Sequence, residues 1–143
     1  MREHCLAMEE QNKQLKTNGY LNFKFKFDES DMRRVICKIY KFEGEPEIQR
    51  TLNEKKIKYI KIEILLEGNY PFEPPFVRIV YPRFKYQTGH ITLGGSLCMD
   101  LLSPKNWTAG VTLTNLIINI MTLMVEGGIE LDKNWNKKYN IKN

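Results

Sequence analysis

Five side chains in this sequence have strong nucleophilic or metal-binding chemistry: Cys5, Cys37, Cys98, His4 and His90. An ionised thiol attacks acyl carbons, and the thioester it forms stays activated toward amines, so a cysteine is suited to carry an acyl group between partners. No two of the cysteines form a Cys-x-x-Cys pair, and two histidines are too few to complete a structural zinc site with them. An odd number of cysteines at wide spacing, with no apolar leader ahead of them, fits a reducing compartment, cytoplasmic or nuclear, and not a disulfide framework. Cys5 and Cys37 fall in helical and strand patterns and are expected to be structural. Composition alone makes Cys98 a small buried residue between Leu97 and Met99. The flanking Gly94-Gly95 weighs toward a reactive position.

To hold such a group the chain needs a core, and 42% hydrophobic residues with seven Phe, seven Tyr and two Trp can supply one. The 143 residues fit a single domain, 1–143. Met1, Cys5, Met8 and Leu15 form a helical stripe over 1–16 that Asn18-Gly19 closes. From Leu21 the period becomes two, with Leu21, Phe23, Phe25 and Phe27 alternating with Asn22, Lys24 and Lys26: a half-buried strand with a solvated lysine face. A turn at 28–31 leads to a second strand from Arg34 to Phe42. Residues 47–56 read as a polar loop, Ile60, Ile62 and Ile64 mark a third strand, and Phe76 to Tyr81 a fourth. Between the last two, Pro71, Pro74 and Pro75 remove backbone donors and make a rigid connection. Residues 82–96 show no period, and a long irregular stretch inside a compact domain is usually functional. A helix from Thr112 or Thr114 to Val125, with a thin polar stripe of Asn115, Asn119 and Thr122, reads as the central buried helix, stopped by Gly127-Gly128. The expected class is α+β: an N-terminal helix, a four-stranded antiparallel meander sheet, an irregular active-site stretch and a central helix.

The net charge is +5 with a pI near 9.1. The excess lies in residues 20–66 and 127–143, and residues 67–126 are balanced. That is too diffuse for a polyanion footprint, so no nucleic-acid partner is expected. The longest apolar run, Leu113 to Val125, falls short of the roughly 20 residues that span a bilayer, so no membrane association is expected either.

Three stretches combine into a recognisable set: Tyr70-Pro71-Phe72-Glu73-Pro74-Pro75, then Gly95-Ser96-Leu97-Cys98-Met99-Asp100-Leu101-Leu102, then Trp107 followed by the helix. Over residues 1–126 this order resembles the catalytic half of a ubiquitin-conjugating enzyme. Residues 71–78 and 93–102 resemble the Q-type branch in particular. The resemblance implies that Cys98 accepts ubiquitin, or a related modifier, as a thioester and passes it to an acceptor amine. It implies ubiquitin, the ubiquitin-activating enzyme and a ubiquitin ligase as partners, a monomer, and no cofactor, ATP being spent by the activating enzyme.

Three departures from the family pattern bear on the chemistry. Its His-Pro-Asn triplet reads Thr88-Gly89-His90, which puts His90 where the oxyanion-stabilising Asn stands. An imidazole can donate an N–H to developing negative charge, satisfy a carbonyl of its own loop, or act as a base. The Trp-Ser-Pro-Ala loop reads Trp107-Thr108-Ala109-Gly110, so Phe72 and Thr108 match ligase-contacting positions but RING-type ligases are expected to be gripped weakly. Residues 127–143 are also too short for the two further helices common in the family. Glu130 and Asp132 are candidates for the acidic group that assists the incoming amine, Asp100 is expected to be structural, and Trp107 a wall of the core. The alternative is a non-catalytic module of the same fold that binds ubiquitin or scaffolds. Cys98 favours the enzyme; the first two departures favour the module.

Overall fold

The alternation of Phe23, Phe25 and Phe27 with lysines becomes an edge strand, β1 (Phe23–Asp28), whose three phenylalanines are buried. It pairs with β2 (Asp31–Ile39), which pairs with β3 (Ile60–Leu65), which pairs with β4 (Phe76–Tyr81). All pairings are antiparallel and the strand order follows the chain, the expected meander. The computed structural model describes residues 22–66, 68–92 and 94–139, so the helix expected over 1–16, with Cys5, lies outside the described residues. Arg34 joins the outer face of three strands, contacting Asp28 at 3.1 Å and Glu63 at 2.9 Å.

The stretch read as a polar loop over 47–56 is a correction: residues Glu47–Glu54 form a helix, α1. Only Ile48, Gln49 and Leu52 turn inward, too few positions to display a helical period in the sequence. Gln49 is what hides the stripe. It is polar yet buried, because its Oε1 accepts from Phe42 N at 2.8 Å and its Nε2 donates to Asn53 at 3.0 Å.

The second helix, α2 (Leu113–Glu126), starts at Thr112, whose hydroxyl accepts from Asn115 N. Leu113, Leu116, Ile117, Ile120 and Met124 join the inner faces of the strands in one core, together with Ile48 and Leu52 of α1. The other face is open: Asn115, Ile118, Asn119, Thr122 and Val125 are exposed. α2 therefore lies on the core and is not enclosed by it. Asn119 and Thr122 return their polar groups to the helix backbone, at Asn115 O and Ile118 O.

Replacing Gln49 with Ala leaves the Phe42 N–H buried without an acceptor. Chemical denaturation should show a loss of about 1–3 kcal/mol, and no change would mean that the amide finds another partner.

Candidate active site

Cys98 stands on a short extended segment that continues the sheet beyond β4. Ile79 N donates to Gly95 O at 2.8 Å and Leu97 N to Val77 O at 2.9 Å, and Arg78 bridges to Ser96. Side chains on an extended segment alternate, and with Leu97 and Met99 buried Cys98 must face solvent. The bland reading of Cys98 as a buried residue is thereby corrected. Of the two described cysteines Cys37 is the buried one, on the inner face of β2, and burial pushes its thiol far above the ordinary range, so it offers no thiolate. Gly95 permits the close approach. Its φ is +88°, and a Cβ there would stand 2.8 Å from Ile79 O.

His90 meets Cys98 through the backbone: Cys98 N donates to His90 O at 2.8 Å. The residue holds φ at +65°, in the left-handed region, after Gln87 and Gly89 at +67° and +58°. Its imidazole is exposed and makes no hydrogen bond among the described residues, so it does not satisfy a loop carbonyl. The ring borders the end of α2, where a Cβ on Gly127 would lie 3.1 Å from its Cδ2 and Nε2.

From His90 back toward Arg83 the chain runs antiparallel to residues 127–132. Gly89 N donates to Gly127 O, Lys85 N to Glu130 O, and Asp132 N to Arg83 O. Thr88 Oγ1 also accepts from Glu130 N at 3.1 Å. The two acidic candidates thus sit at different distances along one ladder. Glu130 is the nearer to His90 and is exposed, with a loose contact to Lys85 at 3.9 Å. Asp132 is at the far end, its carboxylate engaged by Arg83 at 3.7 Å and Asn134 N at 2.8 Å. Asp100 opens a 3-10 turn (Asp100–Leu102), and its carbonyl accepts from Ser103 N and Oγ and from Asn106. These bonds are to its backbone, and the Asp100 residue is itself exposed.

The loops that carry Phe72 and Thr108 are tied to each other by Trp107. The indole is buried against Tyr70, with ring centroids 6.3 Å apart, and donates to Pro71 O at 2.8 Å. Phe72 follows Pro71 and is 78% exposed, and Thr108 follows Trp107 and is exposed as well.

The model of the ubiquitin-conjugating enzyme family matches residues 8–141. The chain belongs to the ubiquitin-conjugating enzyme family. Its relatives include a human Q-like ubiquitin-conjugating enzyme protein, 27% identical over 90 residues, which are 63% of this chain and 55% of that protein. Human ubiquitin-conjugating enzyme E2 Q1 is 32% identical over 87 residues, 60% of this chain and 20% of that protein. The matches therefore span about half of the first relative and a fifth of the second, and their names place the chain with the Q-type branch. Among solved structures, the ubiquitin conjugating enzyme E2 from Plasmodium falciparum superposes with a TM-score of 0.61 at 19% identity, covering 84% of this chain and 96% of that one. Human ubiquitin-conjugating enzyme E2 G1 gives 0.62 at 16% identity, covering 87% and 96%. At those identities the likeness speaks to the fold.

Several residues that build this ubiquitin-conjugating domain's site carried no sequence signal. Thr88 acts through its hydroxyl on Glu130 N, Arg83 through its guanidinium on Asp132 and Gly127 by its close approach to His90, all across the ladder and so invisible to local spacing. Gly127-Gly128 was legible as a helix stop, but not as the wall beside His90.

The left-handed backbone at residue 90 yields a stability prediction. His90→Asn should melt close to the original, because Asn tolerates this region, whereas His90→Val should lose about 1–2 kcal/mol. Equal melting temperatures for the two variants would show that the loop relaxes its φ.

Proposed function

We propose that the domain carries ubiquitin as a thioester on Cys98 and delivers it to an acceptor amine. What supports this above all is an exposed thiol on a hydrogen-bonded extended segment whose residue 98 is tied through its N–H to the carbonyl of His90, a residue with an exposed imidazole unpartnered among the described residues. In the first step the Cys98 thiolate attacks the ubiquitin C-terminal carbonyl held as a thioester on the activating enzyme, whose own cysteine leaves as thiolate. In the second an amine attacks the Cys98 thioester. The tetrahedral intermediate puts negative charge on oxygen, and an imidazole in either protonation state has an N–H to meet it. Collapse expels the Cys98 thiolate and forms the amide. The amine proton needs an acceptor, because a free lysine holds it with a pKa near ~10.4. Glu130, exposed and beside His90's strip, is better placed for this than Asp132, whose carboxylate is engaged by Arg83.

Incubation with activating enzyme, ATP and ubiquitin, followed by electrophoresis with and without reductant, tests the reading. A reductant-sensitive adduct should form and be absent from Cys98→Ala, while Cys98→Ser gives a reductant-resistant ester or nothing. An adduct surviving in Cys98→Ala would move the chemistry to another cysteine; no adduct from the unaltered chain would leave the binding module. His90→Gly, which keeps the backbone angle, should charge normally and slow discharge to free lysine by up to ~10²–10³. His90→Asn should retain much of the rate. Discharge at the original rate in His90→Gly would end the oxyanion role.

The ligase partner would meet Phe72 and Thr108. Loop residues 108–110 are exposed and lack a proline, so fixing them on binding costs about 0.4–1 kcal/mol more than a proline-stiffened loop would. Ordinary RING domains should therefore stimulate discharge less than twofold, and a several-fold acceleration across a RING panel would refute this.

A further inference from the structure

Two chain segments converge on Cys98: residues 84–90, which end at His90, and residues 95–98. Both are held at their far ends by one side chain, Tyr139. Its phenol oxygen accepts from Phe84 N at 2.6 Å, where the first segment begins. Its ring lies against Gly95, where the second begins: a Cβ on Gly95 would stand 3.0 Å from Tyr139 Cγ and Cδ2. The Tyr139 ring and the β4 backbone at Ile79 O thus together close the space where a side chain on residue 95 would stand. The ring is buried, with the Arg83 guanidinium 5.8 Å from its centroid. Nearby, Arg83 N donates to Trp135 O at 2.9 Å and Trp135 packs on Tyr81, so the chain from 132 to 139 is fastened along 81–84.

We infer that Tyr139 is a positioning residue for the Cys98 thiol, acting through Gly95 and Phe84 to fix the backbone on which Cys98 and His90 stand. The inference rests on the thioester reading above for its functional consequence, but not for its geometry. Gly95 at φ +88° has the widest backbone freedom of any residue type, and once the ring is removed only its hydrogen bonds to Ile79 N and Thr92 O hold it. A displacement of about 1 Å at a reacting atom costs on the order of 10² in rate, so a small relaxation at Gly95 would be felt at Cys98. Burial pushes the Tyr139 phenol up to about 12, so it remains un-ionised throughout the neutral range.

A residue that merely stabilised the fold would behave differently, and the full chain distinguishes the two by amide hydrogen exchange. Tyr139→Ala should speed exchange at the Leu97 and Cys98 amides by about tenfold relative to amides of β2 and β3, because local opening is uncoupled from global unfolding. Tyr139→Phe keeps the ring on Gly95 and should leave that ratio within about twofold, while lowering the melting temperature by stranding the Phe84 N–H. If all amides shift together in Tyr139→Ala, the role is global stability and the inference is overturned. Should Tyr139→Ala fail to fold, Tyr139→Leu carries the same comparison. With charged protein, Tyr139→Ala should lower the maximal rate of discharge to lysine about tenfold at an unchanged half-saturating lysine concentration, with Tyr139→Phe restoring more than half of it. Discharge at the original rate in a folded Tyr139→Ala would also overturn it. If the unaltered chain forms no thioester, the proposed function fails, and the exchange ratio alone still decides the role of Tyr139.

Discussion

Everything at the site depends on two backbone hydrogen bonds, Ile79 N to Gly95 O and Leu97 N to Val77 O, which turn an otherwise irregular segment into an extension of the sheet. Without them the alternation that buries Leu97 and Met99 and exposes Cys98 has no frame. The approach they demand is close enough to exclude any side chain at residue 95. The Cys98 thiol is therefore exposed by register and not by flexibility: a one-residue slip would bury Cys98 and put its neighbours in water. On its other edge the segment presents Cys98 N to His90 O, so residues 98 and 90 are held by a second ladder beside the first.

The sheet was legible in the sequence because Phe23, Phe25 and Phe27 and then Ile60, Ile62 and Ile64 alternate with polar residues, and β4 was read with its observed bounds. β2, which lacks that alternation, was read from Arg34 to Phe42 and runs over Asp31–Ile39. The rigid connection was legible through its prolines. α1 was not, because a helix with two apolar residues and one buried glutamine has no period to detect; Gln49 becomes intelligible only once Phe42 N is seen above it. α2 was placed well along the chain, but Ile118 and Val125 made it look more enclosed than it is. Apolar content reports what a residue could bury, and only the sheet decides which face finds a partner.

For the site, Cys98 could be singled out because glycines and a family-like motif surround it. Its exposure could not, since Leu97 and Met99 suggest the opposite until the strand register is known. His90 stood out by position, yet nothing in the sequence says that its imidazole is unpaired or that Gly127 walls it in. The separation of Glu130 from Asp132 was equally invisible. The two lie two residues apart in the chain, and only Arg83, across the ladder, makes them unlike.

The placement of the two tryptophans has an optical consequence. Trp107 is buried beside Tyr70 with its indole N–H on Pro71 O, whereas Trp135 is half-buried on Tyr81 in the segment that fastens to the strand end. One emitter ties the loop of Phe72 to that of Thr108 and the other lies in the segment that leads to Tyr139, and a half-buried indole emits to the red of a buried one. The tryptophan fluorescence of the chain therefore reports on both regions at once, with no label added.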